Sequence, residues 1–274
     1  MSDIASWSIF LLGAVVTPLI FRGFMSPEYA GKKAYVFLSG MLFVFIGFVA
    51  SFSVFRGEAS IAMIAFGSLF ILPYVVMVIE RQPPEKKAGA NAGKKKFYGV
   101  FARHRRLGMF FLLLFLGMTA EYTMLFFVLP PGTFETAFQH QVLYSAGSQA
   151  SSGLYGILLY DAGLIAACFG LSVLFGAGAV FLLNYNASMA SVFIGIPLRG
   201  LLWGMAFPPH PSPALYLVCG ILTTAGLLVA SVGGSMLAKK HSGRTEWRDS
   251  VIFLAVSLVI IFFSSVLEAA SGGL

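Results

Sequence analysis

The sequence predicts an all-α protein, a polytopic transmembrane bundle of seven or eight membrane helices. Three observations point there. Of 274 residues, 58% are hydrophobic and only 11% are charged, whereas a soluble domain carries about 25% charged residues. The mean hydropathy of +0.87 leaves more apolar surface than one water-soluble core can bury, so lipid must solvate much of it. The cationic residues are also gathered: 16 of the 18 Lys and Arg fall within 21–34, 80–107 and 239–249, leaving Arg56 and Arg199.

A membrane helix needs about 20 predominantly apolar residues. In chain order, such runs occupy 34–54, 60–79, 107–129, 162–183, 187–207, 213–237 and 250–267. An earlier run, 4–21, is shorter and contains Pro18; it either spans or lies in the interface. The first residues, MSDIASWSIF, carry neither a basic leader nor a cleavage motif, so no cleaved signal peptide is expected.

The charge pattern tests this order. Short loops rich in Lys and Arg mark the cytoplasmic side. Two runs separate the first basic loop from the second, and four separate the second from the third. Both counts are even, so all three loops can face the cytoplasm, with the C-terminus outside. The external connections are then 56–59, 130–160 and the PPHPSP turn at 208–213. The longest, 130–160, lacks Lys and Arg and reads as a surface excursion with one interfacial helix. The expected organisation is an apolar N-terminal segment (1–23), a transmembrane hairpin (24–79), a basic cytoplasmic loop (80–106) and a transmembrane core (107–274).

Within lipid, helices associate by close packing rather than by oil–water partition, and small residues permit it. Small residues recur four apart, on one helix face, at Gly163/Ala167, Ser172/Gly176, Ala187/Ser191/Gly195 and Gly226/Ala230/Gly234. In the stretch FGAGAVFLLNYNAS, 175–188, Gly176 and Gly178 are expected inside an apolar helix. Asn184 and Asn186 are expected to cap its cytoplasmic end, where backbone groups are freed. Asn186-Ala187-Ser188 matches a glycosylation acceptor but falls at the inner membrane face.

The segment FGLSVLFGAGAVFLLNYNASMASVFIG, 169–195, resembles the signature of the stage II sporulation protein M family, particularly its archaeal members. The likeness includes Gly176, Gly178, Asn184, Asn186 and Ser188. FMSPEYAGKKAYVFLSGMLFVFIGFVASFSVFR resembles the start of those members, and MFFLLLFLGMTAEYTMLFFVLP the helix after their basic loop. The likeness covers about 24–230 and departs in two places. Tyr160 and Asp161 stand where the family usually has two asparagines, and Ala214 stands near an acidic position that follows His210. The resemblance implies a membrane scaffold, because in spore formers the family serves an envelope-remodelling complex with cell-wall hydrolases.

Ionisable groups at membrane depth cost roughly 2.5–3.5 kcal/mol each on insertion scales and mark candidate sites. Glu121, Asp161 and Arg199 all fall in the outer half, with His210 just above. They are expected to form either an ion-paired structural network, since a guanidinium can bind carboxylates bidentately, or a binding site. The basic loop ERQPPEKKAGANAGKKKFYGVFARHRR offers anionic lipid headgroups or a protein partner an electrostatic surface. Its end can form an amphipathic helix with Phe97, Val100 and Phe101 inward, and His104 is placed in a solvated loop.

Other chemistry lacks its residues. Cys168 and Cys219 sit in apolar runs without metal-ligand spacing. No His-Glu-x-x-His is present, and the Gly-Ala-Gly follows no strand. Metal, cofactor, catalytic residues and nucleic acid are therefore not expected. Three function classes remain: a scaffold with a protein partner in the membrane or envelope, a small-solute or ion transporter using Glu121, Asp161 and Arg199, and, last, a membrane enzyme. The sequence leaves the oligomeric state open.

Overall fold

The computed structural model describes residues 32–55, 59–80, 96–147, 153–176, 178–203, 213–238 and 244–272. The 1–23 segment and His210 lie outside them. The described residues form helices and no strand: α1 (Lys33–Val54), α2 (Ala59–Glu80), α3 (Lys96–Arg103), α4 (Arg105–Val128), α5 (Pro131–Gly147), α6 (Leu154–Phe175), α7 (Ala179–Trp203), α8 (Pro213–Leu237) and α9 (Arg244–Gly272). Six are long and apolar enough to cross a membrane, and α7 contributes a shorter apolar stretch, Ala179–Gly195. The chain is a helical membrane bundle, as its composition predicts.

Two groups of helices pack together. In the first, α1 packs on α2 and α4, and α7 packs on α4 and α2; in the second, α8 packs on α9 and α6. The groups join where α8 meets α4 and α7. Consecutive helices α6 and α7 thus belong to different groups. The helix expected within 130–160 is present as α5, which lies against α2 and α7. Phe134 and Phe138 of α5 meet Phe126 of α4, with ring centroids 4.7 and 4.4 Å away.

Small residues set the approach of these helices. A Cβ on Gly47 would stand 2.6 Å from the Gly67 backbone nitrogen, so α1 and α2 touch backbone to backbone. A Cβ on Gly40 would stand 2.5 Å from the Leu114 carbonyl, making the same kind of contact between α1 and α4. In the second group Gly234 abuts the Phe169 carbonyl; in the first, Gly195 of α7 receives the Phe126 ring. Gly226 and Ala230 are buried along the same α8 face. The Ala187/Ser191/Gly195 and Gly226/Ala230/Gly234 seams are therefore internal. Gly163 and Ala167 are exposed, and nothing lies within 4 Å of a Cβ built on Gly163.

Membrane helices must satisfy their polar groups internally. Ser39, Ser68, Thr119, Thr224, Ser231 and Ser265 donate to the carbonyl four residues earlier, at 2.7–3.0 Å. This local bond lets hydroxyls sit in apolar helices.

Two boundaries differ from expectation: α6 already begins at Leu154, within 130–160, and the next one moves further. The run 162–183 is not one helix: α6 ends at Phe175, and Gly176 turns the chain with φ +67°. That conformation is costly for a residue with a Cβ. Gly178 then comes back against the Leu171 carbonyl, leaving no room for a side chain. Gly176 and Gly178 thus belong to the connection between α6 and α7. Gly176 lies by Ala238, and Ser235 donates to the Gly176 carbonyl at 2.8 Å. Asn184 and Asn186 therefore lie within α7, not at a helix end, and they are not caps.

Candidate functional site

Asn184, displaced from its expected cap position, is the centre of a buried polar cluster in the first group. It is fully buried, and its Nδ2 donates to the Ile64 carbonyl at 3.0 Å and to Ser68 Oγ at 3.1 Å. Its Oδ1 accepts from the Tyr122 hydroxyl at 3.0 Å. A helix carbonyl can only accept, so the amide nitrogen must face Ile64 and the oxygen must face Tyr122. One side chain of α7 is thereby tied to both α2 and α4. The cluster carries no charge, which suits a fixing role.

Asn186 faces the other way and donates to Thr224 Oγ1 of α8 at 2.7 Å. The two asparagines thus hold α7 to both helix groups. Ser188 donates to the Tyr185 carbonyl of its own helix at 2.7 Å. Ser172 is buried beneath Gly234, so the Ser172/Gly176 pair supplies one packing residue and one turn residue.

The acidic residues are not brought into one network. Asp161 is 5% exposed and accepts from Ser265 Oγ of α9 at 2.7 Å. Nearby Ser264 bonds the Cys219 carbonyl and Thr223, joining α8 to α9. Glu121 is on α4 and 7% exposed, and no hydrogen bond or ion pair links it to Asp161. Among the described residues Glu121 has no hydrogen-bond partner. The side chain of Arg199 and all of His210 fall outside the described residues. Cys168 and Cys219 are free and buried, and Cys168 lies 3.3 Å from Ser231 Oγ.

A second polar cluster was not legible as such. Asp249, its side chain 1% exposed, accepts from the Arg103 guanidinium at 2.6 Å, and His104 Nε2 lies 3.4 Å away. Arg248 stands 3.9 Å from the other carboxylate oxygen. His104 is therefore buried, not solvated as expected, with its ring edge-on to Phe253. Phe101 lies over the same ring at 4.7 Å, and Val100 is buried. The amphipathic helix α3 forms as predicted, and a carboxylate from α9 docks it.

Among the described residues, no group of three or more His, Cys, Asp and Glu could hold a metal ion. No family model, curated protein or solved structure matches the chain.

Proposed function

We propose that this protein is a scaffold of the cell membrane that works by binding a protein partner within the bilayer. The observation that carries this reading is the Gly163/Ala167 face of α6. The Ala187/Ser191/Gly195 and Gly226/Ala230/Gly234 seams are filled by the protein's own helices, and this one faces outward. α6 is also the least buried of the six candidate spans. Small residues four apart let a second helix approach closely, so the face fits a membrane-spanning partner. The resemblance to the stage II sporulation protein M family points the same way. In the proposed orientation the basic loops face the cytoplasm and the C-terminus lies outside.

The test is quantitative co-purification from native membranes in mild detergent against an untagged control, with wild type and Ala167→Leu compared. A stoichiometric partner lost in the variant supports the reading. A monodisperse, partnerless wild-type particle sinks it.

Glu121 favours a second reading, transport of a small solute or ion, because a carboxyl buried at that depth is costly. Flux into liposomes that falls with Glu121→Gln would support it. Equal flux from both proteins and from empty liposomes would remove it.

A further inference from the structure

We propose that the junction of α3, α4 and α9 is a binding site for the phosphate headgroup of an anionic glycerophospholipid. Two arginines meet there, and two more adjoin them in the chain. Arg103 and Arg248 flank Asp249, and Arg105 and Arg106 follow directly in the first turn of α4, both exposed. Against these four arginines, 103–106 and 246–249 carry two carboxylates, Glu246 and Asp249. Asp249 is buried and already engaged by Arg103 and His104. Glu246 is half-buried in the first turn of α9. The first turn of α4 contains no acidic residue, so the positive end of that helix adds to the cationic field.

The depth of the patch selects the partner. Trp247 is 59% exposed at the start of the apolar span Thr245–Ala270. Exposed tryptophans at span ends sit at headgroup level. Arg248, 63% exposed and adjacent, is then held at the level of lipid phosphates, as are Arg105 and Arg106 at the start of their own span. Guanidinium groups bind phosphate bidentately. The Arg103–Asp249 bond and the Phe101–Phe253 contact fix α3 against α9, so the junction does not have to assemble when lipid arrives. A lipid is thus presented with a preformed cationic junction, next in sequence to an exposed indole.

The full chain, purified from a bilayer mixture of phosphatidylcholine and phosphatidylglycerol, would be analysed for retained lipid by native mass spectrometry. Wild type should retain phosphatidylglycerol at least about threefold above its share in the mixture, a modest part of what three basic residues at an anionic surface allow. Arg105→Gln/Arg106→Gln/Arg248→Gln should return the ratio to that of the mixture. All three side chains are exposed, so the variant should elute as a folded particle. Should it not, loss of wild-type enrichment in high salt gives the same answer. Lys32→Gln/Lys33→Gln, at the start of α1, should leave the enrichment unchanged. Equal retention by the arginine variant and wild type would overturn the site. So would equal loss in both variants, which would mark a diffuse basic rim. Displacement of the lipid by inorganic phosphate at comparable concentration would also overturn it, in favour of a free-anion site.

Discussion

The Tyr122 hydroxyl donates to Asn184 Oδ1 at 3.0 Å across the α4–α7 interface, and both residues are fully buried. Because the Asn184 nitrogen simultaneously engages α2, this pair fixes the register of three helices at once. Apolar side chains fix register only through the shape of their packing. A directional bond has one position of best fit.

Replacing Asn184 by Leu keeps the branching at Cγ, removes three hydrogen bonds and strands the Tyr122 hydroxyl. An unpaired buried hydroxyl costs about 1–3 kcal/mol, so the thermal midpoint in detergent should fall clearly. Tyr122→Phe should cost less, since it removes the donor itself. The double variant should show coupling of about 0.6 kcal/mol, with a ceiling near 1.7 for bonds between membrane helices. Strict additivity would mean that the two side chains do not interact.

Two glycine substitutions should separate buried seams from the open one. In Gly47→Ala the new methyl would stand 2.6–2.9 Å from backbone atoms of Gly67 and Met63. Backbone cannot rotate away, so α1 and α2 must part, and overpacking of this kind costs about 1–3 kcal/mol or more. Gly163→Ala meets nothing within 4 Å and should leave stability within about 0.5 kcal/mol or raise it slightly, since alanine is the better helix former. Size-exclusion profiles after a heating series would compare them. Equal losses in both would refute the assignment of α6's outer face.

The spans were legible because crossing a bilayer demands about 20 apolar residues, whatever they pack against. The α6–α7 boundary was not. Hydropathy is nearly uniform through 162–183, so only Gly176 and Gly178 marked the turn, while the polar Asn184 and Asn186 suggested a boundary eight residues too late. Buried and lipid-facing sides were equally obscure, because both are apolar; Gly40, Gly47, Gly67 and Gly117 mark the buried sides, but a glycine does not say which helix it meets. The burial of His104 depends on Asp249, 145 residues away, and no local pattern could reveal that pairing.

The turn itself is testable. Gly176→Ala forces a Cβ into a backbone with φ +67°, costing about 1–2 kcal/mol. Its nearest new neighbour, the Ala238 Cβ at 3.5 Å, is an ordinary contact. Gly178→Ala should be worse, because its methyl meets the Leu171 carbonyl and the two helices must splay. The expected order of thermal midpoints is wild type, then Gly176→Ala, then Gly178→Ala. Were 162–183 one continuous helix, both alanines would instead be neutral or stabilising, so the sign of the effect decides between the two descriptions.

The tie between Arg103 and Asp249 makes the last prediction. Asp249→Asn preserves shape and removes the charge that holds α3. A fully buried pair broken on one side can cost about 3–5 kcal/mol. Arg103 is 27% exposed, however, and can turn to water, so about 1–2 kcal/mol is the better expectation once solvent screening is included. The loss should be local, because α3 also rests on Phe253 through Phe101. Hydrogen exchange should therefore quicken across Lys96–Arg103 by about tenfold for each 1.4 kcal/mol lost, while α1 and α2 keep their protection. Phe101→Ala removes the aromatic anchor without touching charge and should loosen the same segment. If Asp249→Asn left exchange in α3 at the wild-type rate while Phe101→Ala raised it, the helix would be held by ring packing alone and the ion pair would be a passenger.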